Sequence, residues 1–156
     1  MTGVQTCALP ILDPSRNFSE LHNDVNLDRL SPVFEAIRRI KSSLPEETTF
    51  LGFCGAPWTV ASYMIAGKGT PELAPSRLLA YRNPLYLKQL IDRLVDASIA
   101  YLIKQAEAGV DAIQIFESFA GALTGLDIGK FSIDPIARII KGVRQTYPDM
   151  KFIVFG

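Results

Sequence analysis

AGVDAIQIFESFAG, Ala108 to Gly121, carries a helix stop, a strand and the start of a glycine-bearing loop in one short run. Gly109 ends the helix before it, because glycine enters the left-handed conformation that closes a helix C-terminus without a side-chain clash. Asp111-Ala112-Ile113-Gln114-Ile115-Phe116 then reads as a strand, and Gly121 and Gly125 mark the loop that follows. Upstream, Asn83-Pro84 opens a long helix running to about Ala108. In it Leu87, Leu90, Ile91, Leu94, Ala97, Ser98, Tyr101, Leu102 and Gln105 recur with the helical period. Downstream, a helical region begins near Asp127 and starts afresh at Pro135, with Ile136, Ile139, Ile140 and Val143 on its buried side. Lys151 to Phe155 is a further strand.

The same grammar extends toward the N-terminus. Leu30 to Leu44 is predicted as a helix with Leu30, Val33, Phe34, Ile37 and Ile40 on one face. Thr49 to Cys54 is a short apolar run between Pro45 and Gly55, expected as a strand buried on both faces. Pro57 opens a helix through Trp58, Val60, Tyr63 and Met64 that Gly67 and Gly69 end, and a shorter helix lies near Ser76 to Tyr81. Strands alternating with helices imply an α/β fold with a parallel sheet and helices over its outer face. A closed (β/α)8 barrel of the TIM type needs about 250 residues. Three strands here would be less than half of one, so the expected fold is a partial barrel, cut at both ends.

Composition narrows the function classes. With 48% hydrophobic and 21% charged residues the chain has the make-up of a globular domain. Sixteen Lys plus Arg balance sixteen Asp plus Glu, so there is no net field to hold nucleic acid or an anionic membrane surface. No apolar run reaches the roughly 18 residues of a membrane span and no secretory leader is legible, which makes the cytoplasm the expected location. Cys7 and Cys54 are the two cysteines and His22 the one histidine. This is too sparse a set for a disulfide framework or a zinc site, and no metal is expected.

Met1 to Ile11, MTGVQTCALPI, resembles the translation of a reverse-complemented sequencing-library adapter. It is read as an artefactual tail ahead of a single domain spanning 12–156, and Cys7 then carries no biology. Leu12 to about Asn26 is polar loop, with His22 expected in solvent. Asn17-Phe18-Ser19 is a glycosylation sequon without a secretory signal. Gly67-Lys68-Gly69-Thr70 follows a helix rather than a strand and lacks the spacing of a phosphate loop.

Two blocks carry a family resemblance: GFCGAPWTVASYMIAGKGT, Gly52 to Thr70, and AGVDAIQIFESFAG. Together with the long helix between them and SPVFEAIRRIKSSLP before them, they are similar to uroporphyrinogen decarboxylase. That resemblance implies a β/α barrel, active as a homodimer. Such an enzyme converts uroporphyrinogen III to coproporphyrinogen III by removing four acetate carboxyl groups, with neither cofactor nor metal. Loss of carbon dioxide leaves an electron pair, and a pyrrole ring protonated on carbon is the sink for it. The enzyme must therefore bind a polyanion, stabilise a buried cation and deliver a proton.

The resemblance places the family's substrate-binding tyrosine on Tyr63 and its substrate-binding serine on Ser118, and aromatic positions of the cavity wall on Phe53 and Phe116. Taken without it, Tyr63 reads as a core tyrosine with its hydroxyl at the rim, and Ser118 as a cap or turn serine. Ser118 does follow a strand end, where barrels place functional groups. Glu117 is expected to hold neighbouring groups in place, and Cys54 to be a small buried hydrophobe. The family's N-terminal arginine motif, essential aspartate and C-terminal histidine match nothing here, so no catalytic residue is assigned. Arg77, Arg82, Arg138 and Arg144 read as helix-surface residues. The alternatives are a cobalamin-dependent methyltransferase of the same superfamily and a non-catalytic barrel fragment.

Overall fold

A computed structural model describes residues 25–67 and 72–156. The readings made for Met1 to Ile11, Cys7, Asn17 to Ser19, His22 and Lys68 to Thr70 lie outside the described residues, as does the polar lead up to residue 24.

Asn26 accepts a hydrogen bond from Arg29 N–H (3.2 Å) and caps a single 3-10 turn, Leu27–Leu30, that runs into α1 (Ser31–Ser43). There follow β1 (Leu51–Gly55), α2 (Pro57–Ala66), α3 (Ala74–Arg82), α4 (Pro84–Ala108) and β2 (Ala112–Phe116). After a 3-10 turn, Ala120–Ala122, the short α5 (Leu126–Ile128) continues through a π turn, Gly129–Ile133, into α6 (Asp134–Thr146), and β3 (Lys151–Phe155) comes last. Proline stands in the first turn of α1, α2, α3, α4 and α6, where its missing N–H has no helical partner to lose. The left-handed stops are also as read. Gly109 (φ 112°) closes α4 and Gly67 (φ 68°) closes α2.

The π turn departs from a simple restart at Pro135. Asp134 N–H reaches back five residues to Gly129 O. Pro135 has no N–H for the carbonyl four residues before it, so the preceding turn widens instead of breaking.

The three strands are parallel in the order β1-β2-β3, with Gly55, Phe116 and Phe155 at one level of the register. One face of the sheet lies under the helices. Gly52, Cys54, Ile113 and Ile115 are buried there against Leu87, Leu90, Ile91, Val95 and Leu102 of α4, Ile136, Ile139 and Val143 of α6, and Phe34 and Ile37 of α1. Gly142 brings α6 close to α4, since a Cβ at this position would lie 2.5 Å from Ile99 Cδ1. At the foot of the sheet Lys41 of α1 pairs with Asp111 (2.7 Å), which also accepts from Phe50 N–H (2.8 Å).

The other face is open, and this corrects the expectation that the first strand is buried on both sides. Leu51 and Phe53 are 39% and 60% exposed, and Ile153 and Phe155 46% and 60%. An apolar run signals two-sided burial only if something packs on each side, and among the described residues all helices lie on one side. A doubly wound sheet would carry helices on both faces, so this one-sided arrangement is that of a barrel segment.

Candidate active site at the strand ends

The open face presents one aromatic ring per strand. Phe53 and Phe116 meet edge to face with centroids 5.9 Å apart, and Phe116 and Phe155 at 6.1 Å. The structure brings Phe53 and Phe116 together, although they are not level: Phe53 stands opposite Gln114 and Phe116 opposite Gly55. Phe155 completes the row and was missed. Its signal was available, since alternate residues of β3 share a face and Phe155 is level with Phe116.

Beyond the row, the loop after β1 and the loop after β2 are sewn together. Ala56 N–H donates to Phe116 O (2.8 Å), and the indole N–H of the fully buried Trp58 donates to Phe119 O (3.0 Å). Trp58 also stacks on Phe131 at 6.4 Å. Thr59 Oγ1 donates to Glu117 Oε1 (2.6 Å) and itself accepts from Ser118 N–H (3.0 Å). Glu117 further accepts from Phe119 N–H (3.3 Å) and, on Oε2, from the hydroxyl of Ser132 (3.2 Å), while its own N–H donates to Phe155 O (2.7 Å). The Glu117 carboxylate thus ties α2, the loop after β2 and the π turn, and the Glu117 backbone N–H adds the end of β3.

Glu117 is 2% exposed. Burial pushes its carboxyl above the ordinary carboxylate range, and the three hydrogen bonds from Thr59, Phe119 and Ser132 pull the other way. The holding role read for it is thus seen in its contacts.

Tyr63 and Ser118 flank this knot. Tyr63 lies one helical turn beyond Thr59, is 37% exposed, and packs its ring against Phe119 at 5.4 Å. Ser118 is exposed, with its backbone fixed by Thr59. Phe53 and Phe116 stand together as a ring pair, while Tyr63 on α2 and Ser118 in the loop after β2 lie beyond it, Ser118 following Phe116 through Glu117.

The family model described as "Uroporphyrinogen decarboxylase (URO-D)" matches residues 7–156. The chain belongs to the uroporphyrinogen decarboxylase family. It is 50% identical over 149 residues to a protein of Sinorhizobium fredii named uroporphyrinogen decarboxylase, covering 94% of this chain and 43% of that one. A Mesorhizobium japonicum protein of the same name is 48% identical over 148 residues, with 94% and 43% covered. One from Brucella anthropi is 54% identical over 127 residues, with 81% and 37% covered. The chain spans about 43% of the length of the first of these relatives.

For a uroporphyrinogen decarboxylase family segment, the remaining polar groups have ordinary roles. Cys54 is buried, accepts no charge readily and has its thiol pushed up to about 12 by desolvation, with Ser98 as a hydrogen-bond partner opposing that. Arg138 pairs with Asp92 on the helix surface, Arg144 lies over the Phe152 ring at 5.5 Å, and Arg77 and Arg82 are exposed. Among the described residues no helix is long and apolar enough to cross a membrane.

Proposed function

We propose that this chain is part of an enzyme that decarboxylates the acetate side chains of uroporphyrinogen III to give coproporphyrinogen III. In this reading residues 12–156 are a piece of one barrel domain and residues 1–11 stand outside it. The complete protein works as a homodimer in the cytoplasm. The observation that carries the reading is the interlock at the strand ends, where the GAPWT and FES blocks meet on Glu117 beside an open aromatic wall.

The wall suits the chemistry. A flat macrocycle can lie against Phe53 and Phe116, and apolar faces lower the local dielectric so that a fixed carboxylate acts more strongly on the protonated pyrrole. Tyr63 and Ser118 are assigned to donate hydrogen bonds to substrate carboxylates, each a charge-assisted contact. The groups that answer the ring cation and the remaining carboxylates are not supplied by this chain. The chain alone is accordingly expected to give no coproporphyrinogen above a buffer blank.

The test is a chimera in which residues 12–156 replace the corresponding segment of the Sinorhizobium fredii relative. Turnover of uroporphyrinogen to coproporphyrinogen, followed by chromatography of the seven-, six- and five-carboxylate intermediates, is the expected result. A folded chimera without turnover, beside an active unmodified relative, would overturn the reading.

A further inference from the structure

Thr59 sits in the first turn of α2, 7% exposed, with its hydroxyl between two residues of the loop after β2 that are 58 and 59 positions away in sequence. Ser118 N–H can only donate, so at 3.0 Å Thr59 Oγ1 must be its acceptor. That leaves the hydroxyl proton for Glu117 Oε1 at 2.6 Å, and the direction of the relay is fixed. Oε1 also receives Phe119 N–H (3.3 Å), and Trp58, the residue before Thr59, donates its indole N–H to Phe119 O (3.0 Å). Two consecutive residues of one helical turn therefore grip two consecutive residues of the loop. These partners belong to the loops after the adjacent strands β1 and β2, so closing the barrel leaves them paired as they are.

The same helix carries Tyr63 four residues on, one turn beyond Thr59 and on the same side. Its ring packs on Phe119 at 5.4 Å, next to the exposed Ser118. A serine has a single rotatable bond between its backbone and its hydroxyl oxygen, so a fixed backbone confines that oxygen to three staggered positions. The Thr59 hydroxyl is the group that holds the Ser118 backbone N–H.

We propose that Thr59 is a positioning residue: by holding Ser118 N–H from the helix that carries Tyr63, it sets the separation at which the two hydroxyls meet the substrate's carboxylates. The proposal rests on the decarboxylase reading, in which both hydroxyls donate to substrate. Displacing such a donor by about an ångström is enough to cost rate while the fold persists.

Thr59→Val keeps the shape and removes the hydroxyl, whereas Thr59→Ser keeps the hydroxyl and removes the methyl. In the chimera, kcat/KM for uroporphyrinogen should fall roughly five- to twentyfold for the valine variant and stay within about twofold for the serine variant, whichever of the two melts lower. The decisive arm is the cycle with Ser118→Ala. If Thr59 acts through Ser118, adding Thr59→Val to Ser118→Ala should cost no more than about twofold further, whereas a purely structural role gives losses that multiply. The Ser118 amide of the valine variant should exchange with solvent at least about tenfold faster than in the parental chimera, since it has lost its acceptor. Thr59→Cys, of similar size and with a weakly bonding thiol, replaces the valine variant if that fails to fold. Unchanged Ser118 exchange overturns the clamp. Faster exchange with parental kcat/KM, or with losses that multiply, overturns the positioning role. An inactive parental chimera instead defeats the decarboxylase reading, and the proposal about substrate falls with it.

Discussion

The two faces of the sheet use similar residues to opposite ends. Ile113 and Ile115 on the helix side are fully buried, whereas Phe53, Ile153 and Phe155 on the other side remain open. One face has finished its packing and supplies stability; the other leaves its apolar surface uncovered. Under the proposed decarboxylase reading the row of rings at the strand ends is the substrate wall, while the buried isoleucines one residue away serve only the core.

Substitution should separate the faces sharply. Trp58→Ala removes a fully buried ring with a hydrogen-bonded indole and should cost about 3–5 kcal/mol, whereas Phe155→Ala on the open face should cost about 1 kcal/mol or less. Denaturant melts of the two variants check this, and equal losses would erase the contrast. Next in size, Tyr63→Phe and Ser118→Ala in the chimera should each lower kcat/KM by roughly ten- to a hundredfold, about 1.5–3 kcal/mol, with melting temperature almost unchanged. Lowered melting temperature with parental kinetics would move both residues to the structural side.

The knot between the faces gives smaller effects. Thr59→Val leaves a buried carboxylate oxygen and the Ser118 N–H each short of a partner, and should cost about 1–3 kcal/mol in thermal or denaturant unfolding. Glu117 adds a pH dependence whose sign follows from its raised pKa. The folded state holds the proton more tightly than the unfolded chain, so the stability that Glu117 contributes is fully present below its ordinary pKa. That contribution is lost as pH rises through the folded value. Glu117→Gln should remove that part of the downward slope, measured as the difference between the two proteins' stability-pH curves. Identical slopes would mean that burial does not perturb this group.

Much of this was legible in the sequence because its causes are local. Periodicity, first-turn prolines and the stops at Gly67 and Gly109 depend on residues within a few positions of one another, and they give the helices and strands to within a few residues. The third strand was read with its observed limits. The open face of β1 was not legible, since a run such as Leu51 to Cys54 records hydrophobicity and not what lies opposite. Thr59 stood out in no periodicity, because its partners Glu117 and Ser118 are brought to it by tertiary packing. Ser132 was missed for the same reason. Tyr63 and Ser118 entered only through family likeness, as their own contacts with Phe119 and Thr59 suit a structural tyrosine and a turn serine equally well.

Trp58, the one tryptophan of the chain, also makes the molecule its own optical gauge. Its indole is shut away from water, hydrogen-bonded to the loop that carries Ser118 and stacked on the π turn that carries Ser132. Emission excited at the red edge of the protein band therefore comes from the joint between the two signature loops. A shift of that emission to longer wavelength would register the opening of this joint.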